Sequence, residues 1–309
     1  ITKEEKEIEF VEPEKCVVVM TEGGSIKRIP TSSFRTQKKN GKGIKSQDDI
    51  TSCVLRTNTI DNLMIFSDKG IMYRLLVDNI PVGTNTSVGQ SIKSLVNMAI
   101  DENPATMYSI YRDTNAKYVL FTTKNGLVKK TTLDEYIKTK KKTGIAAIAL
   151  RENDRLASVS LIDNEPILLL TKNGYIIRFN SSEITPTSRS TYGIKGITLS
   201  EGDEVVMALP IRHDTDNLAV FTTGGMGKKV PLTEITIQKR GGKGLYIYKP
   251  TASTGNVISA SLIDDNDNLL ISGNSASICI SAKDIPVLGR TSIGNQMIKS
   301  GSIKSVTKV

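Results

Sequence analysis

The sequence predicts an all-β fold of six units, each of about four strands, arranged as a propeller-like ring. Three observations predict it. Short apolar runs end six times in a small turn residue, at Gly24, Gly70, Gly126, Gly174, Gly225 and Ser275. A second glycine follows about nineteen positions later, at Gly43, Gly89, Gly144, Gly193, Gly244 and Gly294. The pairs recur at a pitch of roughly 50 residues, the range of propeller blades.

The chain opens on an acidic stretch, residues 1–14, with six glutamates, expected to be a linker or lead-in. Residues 15–309 are expected to form one domain, with units at roughly 15–60, 61–114, 115–162, 163–213, 214–263 and 264–309. Each unit starts with a continuous apolar run, as in Val17–Met20, Leu63–Phe66, Tyr118–Phe121, Ile167–Leu170, Leu218–Phe221 and Leu269–Ser272. Such runs predict strands buried on both faces. Turn signals such as Asp68-Lys69-Gly70 and Lys172-Asn173-Gly174 follow. They supply the positive φ that a two-residue hairpin turn needs.

The second strand ends in a basic residue at a fixed offset, Arg28, Arg74, Lys130, Arg178 and Lys229, with Cys279 in the sixth unit. This recurrence predicts a shared surface role. A loop of about a dozen residues then runs to the second glycine, followed by another strand or two. Asp/Asn clusters such as Asp163-Asn164 read as connections to the next unit. No amphipathic helix longer than two turns is visible.

Composition narrows the function. The chain has 309 residues, a formal net charge of +9, 38% hydrophobic residues and no Trp. The basic surplus points to a polyanion, nucleic acid before membrane, since no basic amphipathic helix accompanies it. Cys16, Cys53 and Cys279 are unpaired in spacing, so neither zinc nor a disulfide framework is expected, and a reducing cytoplasm is. Residues 3–14 are charged, so no signal-like leader is expected, and no apolar run reaches 18 residues. His213 is the single histidine, so no Ser/His/Asp set can be assembled. No catalytic residue, metal or cofactor is expected.

The cations gather in the loops before the second glycines. Unit one carries Arg35, Lys38, Lys39 and Lys42; unit three Lys138, Lys140, Lys141 and Lys142; unit four Arg189 and Lys195. Unit five carries Lys239, Arg240 and Lys243, and unit six Arg290 and Lys299. Unit two is poorest, with Lys93. Loops in equivalent places would put these charges on one rim, suiting the phosphates of a bent duplex without base readout. Gly41, Gly43, Gly241, Gly242 and Gly244 let backbone N–H groups approach phosphate. The principal DNA-binding set is therefore Arg35, Gln37, Lys38, Lys39, Gly41, Lys42, Gly43, Gln238, Lys239, Arg240, Gly241, Gly242, Lys243 and Gly244. Lys140, Lys141, Lys142, Arg189, Lys195, Arg290 and Lys299 extend it. A protein-interaction propeller is the alternative, but it would show Trp-Asp signatures or aromatic hot spots in place of lysine-rich loops.

Gln238-Lys239-Arg240-Gly241-Gly242-Lys243-Gly244 resembles the glycine-rich basic box of the DNA gyrase A C-terminal domain. Gly24-Ser25-Ile26-Lys27-Arg28, Phe34-Arg35-Thr36-Gln37, Phe66-Ser67-Asp68-Lys69-Gly70, Gly126-Leu127-Val128-Lys129-Lys130 and Asn173-Gly174-Tyr175-Ile176-Ile177-Arg178 are similar to that family too. The resemblance runs from about Lys15 to the end. It implies a six-bladed β-pinwheel that wraps double-stranded DNA without sequence specificity. It also implies partners: the rest of the gyrase A polypeptide and the ATPase polypeptide, gyrase B, in an A2B2 assembly that introduces negative supercoils. ATP and Mg would act elsewhere in that enzyme, the isolated domain would be a monomer, and the location would be the cytoplasmic nucleoid. The family's main box lies in the first blade, where this chain has Gln37-Lys38-Lys39-Asn40-Gly41-Lys42-Gly43. Asn40 replaces a glycine and Lys39 an arginine. The charge is kept but the bidentate fork is lost, which leaves topoisomerase IV, with degenerate boxes, as the sister reading.

Overall fold

The structure is a computed structural model that describes residues 12–32, 51–84, 86–110, 116–139, 143–213, 216–273, 277–298 and 302–308. It contains six antiparallel sheets, five of four strands and a sixth of three among the described residues. In the first, the middle strand Lys15–Thr21 pairs with an outer strand Ser25–Pro30 and with Thr51–Asn58. The pattern repeats with middle and outer strands Asn62–Ser67 and Ile71–Leu76, then Tyr118–Thr123 and Leu127–Thr132, then Pro166–Thr171 and Tyr175–Asn180. Asn217–Thr222 with Met226–Pro231, and Asn268–Gly273 with Ser277–Ser281, complete it.

The remaining long strands, Thr51–Asn58, Pro104–Ser109, Leu156–Ile162, Val205–Pro210, Val257–Ile263 and Ile303–Lys308, each contact the next around a closed cycle. Ile303–Lys308 returns to Thr51–Asn58. These strands therefore surround the axis, and the architecture is a six-bladed propeller.

The continuous apolar runs fold this way because both faces of each middle strand are covered. Val18 and Met20 pack with Leu63 and Ile65 of the second blade, while Val17 and Val19 face the other side with Ile29. Met64 and Phe66 in turn meet Val119 and Phe121, Leu120 meets Leu169, Leu168 meets Val220, and Ala219 meets Ile271. The core is a series of seams between blades, fed by the period-two alternation of each strand. Phe66, Phe121 and Tyr136 form an aromatic cluster in the second seam, with ring centroids 5.6–6.0 Å apart.

Two expectations are corrected. The five described hairpins carry three loop residues, not two. In the fourth blade Gly174, at φ +79°, follows a turn closed by its own N–H on the Thr171 carbonyl at 3.0 Å. This is a type I turn ending in a left-handed residue, the usual three-residue hairpin. The Thr171 hydroxyl also accepts the Tyr175 N–H at 3.1 Å, and Thr21, Ser67, Thr123 and Thr222 do the same in their blades.

The basic residues ending the outer strands are inter-blade latches, not a shared surface. Lys130, Arg178 and Lys229 are buried. Arg28 donates to the Ile80 carbonyl at 2.8 Å and pairs with Asp78 at 3.0 Å; Arg74 donates to the Thr139 carbonyl at 2.8 Å. Lys130 donates to the Ser181 carbonyl at 2.9 Å, Arg178 to that of Leu232 at 3.4 Å, and Lys229 to Asp265 at 2.9 Å. Each acceptor belongs to the following unit. In four blades an ammonium or guanidinium serves because the short turns there leave carbonyls with no helical partner; in the fifth, Lys229 instead meets the Asp265 carboxylate.

Candidate nucleic-acid interface

Among the described residues, the outer edge of the first five sheets is closed by a two-residue strand contributed by the next unit. Gln90–Ser91 pairs with Ser25–Pro30, Ile145–Ala146 with Ile71–Leu76, and Ile194–Lys195 with Leu127–Thr132. Leu245–Tyr246 pairs with Tyr175–Asn180 and Asn295–Gln296 with Met226–Pro231. The basic loops of units four, five and six thus lie on the perimeter of the preceding blade. The second glycine permits the approach. At Gly244, φ +81°, a Cβ would collide with the Ile176 carbonyl of the neighbouring outer strand.

The loops are chained to one another. The Arg240 N–H donates to Glu183 Oε2 at 3.0 Å and its Nε to the Glu183 carbonyl at 3.3 Å. Its guanidinium also donates to the Lys195 carbonyl. The Arg290 N–H donates to Glu234 Oε2 at 2.7 Å, and its guanidinium to the Tyr246 carbonyl. The Arg189 N–H donates to Glu135 Oε2 at 3.3 Å, with Nε 3.7 Å away. Gly241 N–H donates to Gly196 O at 2.8 Å, and Thr198 Oγ1 to Gly241 O at 2.7 Å. One arginine per loop therefore fastens its own loop to the preceding one while keeping its charge at the perimeter.

Among the sequence-predicted residues, Lys195, Lys239 and Lys243 are exposed, and Arg189, Gln238, Arg240 and Arg290 half-buried. The structure brings Lys195, Gly241 and Arg240 together and links them through Tyr246 to Arg290. The box does not offer all its N–H groups to a ligand, because those of Gln238, Arg240 and Gly241 are already donated within the protein. Arg35, Gln37, Lys38, Lys39, Gly41, Lys42, Gly43, Lys140, Lys141, Lys142 and Lys299 lie outside the described residues.

Sequence reasoning missed several perimeter residues. Tyr175 and Tyr246 stack with centroids 4.1 Å apart and share a 2.6 Å hydroxyl hydrogen bond, and Lys243 Nζ stands 5.2 Å over Tyr175. Below the loops, Lys129 and Lys228 are buried, 2% and 0% exposed, and their ammonium groups point up into the loop backbone. Two adjacent lysines inside a strand covered on both faces, as in Leu127–Thr132 and Met226–Pro231, were the available signal.

The DNA gyrase C-terminal domain, beta-propeller family matches residues 17–51, 61–98, 117–163, 165–212 and 216–264. The chain belongs to this gyrase C-terminal family. Its relatives include DNA gyrase A of Lawsonia intracellularis, 32% identical over 302 residues, covering 95% of this chain and 37% of the relative. DNA gyrase A of Staphylococcus aureus (strain MRSA252) is 32% identical over 310 residues, covering 97% and 35%. The chain therefore spans about a third of the length of these gyrase polypeptides. A solved C-terminal domain of DNA topoisomerase IV superposes with a TM-score of 0.81 at 29% identity, covering 97% of this chain and 94% of that one. A DNA gyrase A C-terminal domain superposes at 0.77 and 26%, covering 96% and 99%. No helix among the described residues is long and apolar enough to cross a membrane. No group of three or more His, Cys, Asp or Glu among them could hold a metal ion.

Proposed function

We propose that this chain binds duplex DNA along its perimeter without sequence specificity and wraps it, as the C-terminal part of a gyrase A polypeptide. The observation that carries this reading is the chain of loops described above, which lines up Arg189, Lys195, Lys239, Arg240, Lys243 and Arg290 on consecutive blade edges. A bent duplex needs such spaced cations, because curvature costs on the order of several kcal/mol and phosphate contacts must offset it. Arginines held by neighbouring carbonyls meet phosphate already oriented, so less side-chain freedom is lost on binding. Lys239 and Lys243 act as mobile point charges beside them.

In this reading the chain is the binding part of a type II topoisomerase. The cleavage chemistry resides in the rest of gyrase A and the ATPase chemistry in gyrase B, in an A2B2 assembly with ATP and Mg. The wrapped segment is passed to the cleavage core for negative supercoiling. Gyrase is favoured over topoisomerase IV by the intact box at Gln238–Gly244. The test has two arms. Duplex affinity measured from 50 to 200 mM salt should fall by orders of magnitude, and a flat response would end the DNA reading. Reconstitution of the full-length polypeptide with its ATPase partner should turn relaxed plasmid negatively supercoiled; relaxation and decatenation alone would assign the sister enzyme.

A further inference from the structure

Lys129 and Lys228 occupy the same place in their blades, three residues after the turn glycines Gly126 and Gly225. Lys228 Nζ donates to the carbonyls of Arg290 and Ser292 at 2.7 Å and reaches that of Gly289 at 3.4 Å. Lys129 Nζ donates to the carbonyls of Arg189 and Ala147, both at 2.7 Å. An ammonium has three donors and no acceptor, so it suits a ring of carbonyls. Both rings contain the carbonyl of the arginine that faces the perimeter. Tyr248 lies 4.7 Å beneath Lys228, and Phe121 lies 5.3 Å from Lys129.

We propose that Lys129 and Lys228 are positioning residues of the DNA-binding rim, setting the backbone of the loops that present Arg189 and Arg290 to phosphate. The inference rests on the DNA-wrapping reading and deepens it. The fold does not require a buried charge at this position, since the fourth blade has Ile177 there and the second Tyr73, while the first has Lys27, only half-buried, whose amine donates to the Ser87 carbonyl at 2.6 Å. The loop above Ile177 is the box of unit five, which Glu183, Gly196 and Thr198 hold. Above Lys129 and Lys228 the loop lacks the Gly241-Gly242 pair; it takes one anchor bond from Lys129, at Arg189, and three from Lys228, at Gly289, Arg290 and Ser292.

A fully enclosed ammonium is costly, and a well-packed apolar side chain is often at least as stable. Keeping an enclosed charge in two blades therefore fits a role at the loop. Burial is the main cause that pushes both amines down to about 8 from their ordinary 10.5. Glu135 opposes the shift at Lys129 and Arg189 adds to it; Glu234 and Arg290 do the same at Lys228. The other titratable neighbours are the phenols of Tyr136, which shares the Ala147 carbonyl, and Tyr248, which donates to Ile293 O. Burial holds both phenols above their ordinary range, so they stay neutral around pH 8.

The test uses the 309-residue chain and its K129M/K228M variant on a plain duplex. Wild-type Kd should rise several-fold from pH 7 to 9 as the amines lose protons, a range in which DNA phosphates do not titrate. The variant should bind about tenfold more weakly at pH 7, show a flat pH profile, and lose roughly one to two units of log–log salt slope. A steep wild-type salt slope with Kd unchanged from pH 7 to 9 would overturn the proposal, as would a variant with wild-type Kd and slope. The wild-type pH series decides the matter even if the variant does not fold. A wild-type chain without salt-dependent binding would instead overturn the DNA reading itself.

Discussion

Replacing Lys239 and Lys243 by alanine isolates the charge of the perimeter from its architecture. Both side chains are exposed, and Lys243 stands over the outer face of Tyr175. Their loss should leave stability within about 0.5 kcal/mol. Each phosphate contact contributes about 0.9 to the log–log salt slope, so the double variant should lose about 1.8. Over a fourfold change in salt that corresponds to a factor of about 12. The wild-type affinity should thus fall about 12-fold more than the variant's between 50 and 200 mM salt, read by fluorescence anisotropy on one duplex. Adding R240A should take the slope loss to about 2.7 and also cost about 1–2 kcal/mol, because Glu183 O and Lys195 O lose their donor. An unchanged slope in the double variant would refute the idea that these loops meet phosphate.

Further outcomes follow from the packing. F121A should cost about 3–5 kcal/mol in urea unfolding, since Phe121 is fully buried against Phe66 and Tyr136; a loss below about 1 would deny the seam its role. G244A should destabilise by about 1–3 kcal/mol and speed amide exchange in Leu245–Tyr246, whereas G289A, which meets nothing within 4 Å, should be neutral. Thermal stability should rise between pH 8 and 10, because folded Lys129 and Lys228, at about 8, bind fewer protons there than the unfolded chain. K129M/K228M should show a smaller rise, since burial also holds the Lys27 and Lys130 amines below their ordinary value, and in the wild-type chain stability and DNA affinity should move in opposite directions with pH. The Asp265 carboxyl is held below its ordinary 3.8 by its hydrogen bond from Lys229, so that pair's contribution is complete above this value and lost as acid passes the lowered one. D265N should blunt the acid end of the stability profile.

The propeller was legible in the sequence because its cause is local. A middle strand such as Ile167–Leu170 is apolar at consecutive positions only when a neighbour covers each face, and six such runs at even spacing leave few alternatives to a ring. The exchange of short strands was not legible. Ile194–Lys195 and Leu245–Tyr246 carry too few residues to reveal which sheet they join; what reveals it is the glycine that lets them approach, and that needs the partner strand in view. The latches were misread for a related reason. A lysine at a strand end reads as solvated until the turn of the next unit, with its spare carbonyls, is seen above it. The perimeter cations Lys195, Lys239, Arg240 and Lys243 were found from spacing alone. The inward engagement of Arg240, and the buried Lys129 and Lys228, depend on contacts 57 and 60 residues apart along the chain, as in Arg240 with Glu183 and Lys129 with Arg189.

Duplex DNA that follows the chain of loops from blade to blade must bend in doing so. A roughly 30-base-pair duplex with a fluorophore at each end tests it directly. Saturating protein at about 50 mM salt should bring the ends together and raise energy transfer, and the gain should vanish at high salt. A duplex that binds at saturation with its end-to-end distance unchanged would show that the rim binds DNA without wrapping it.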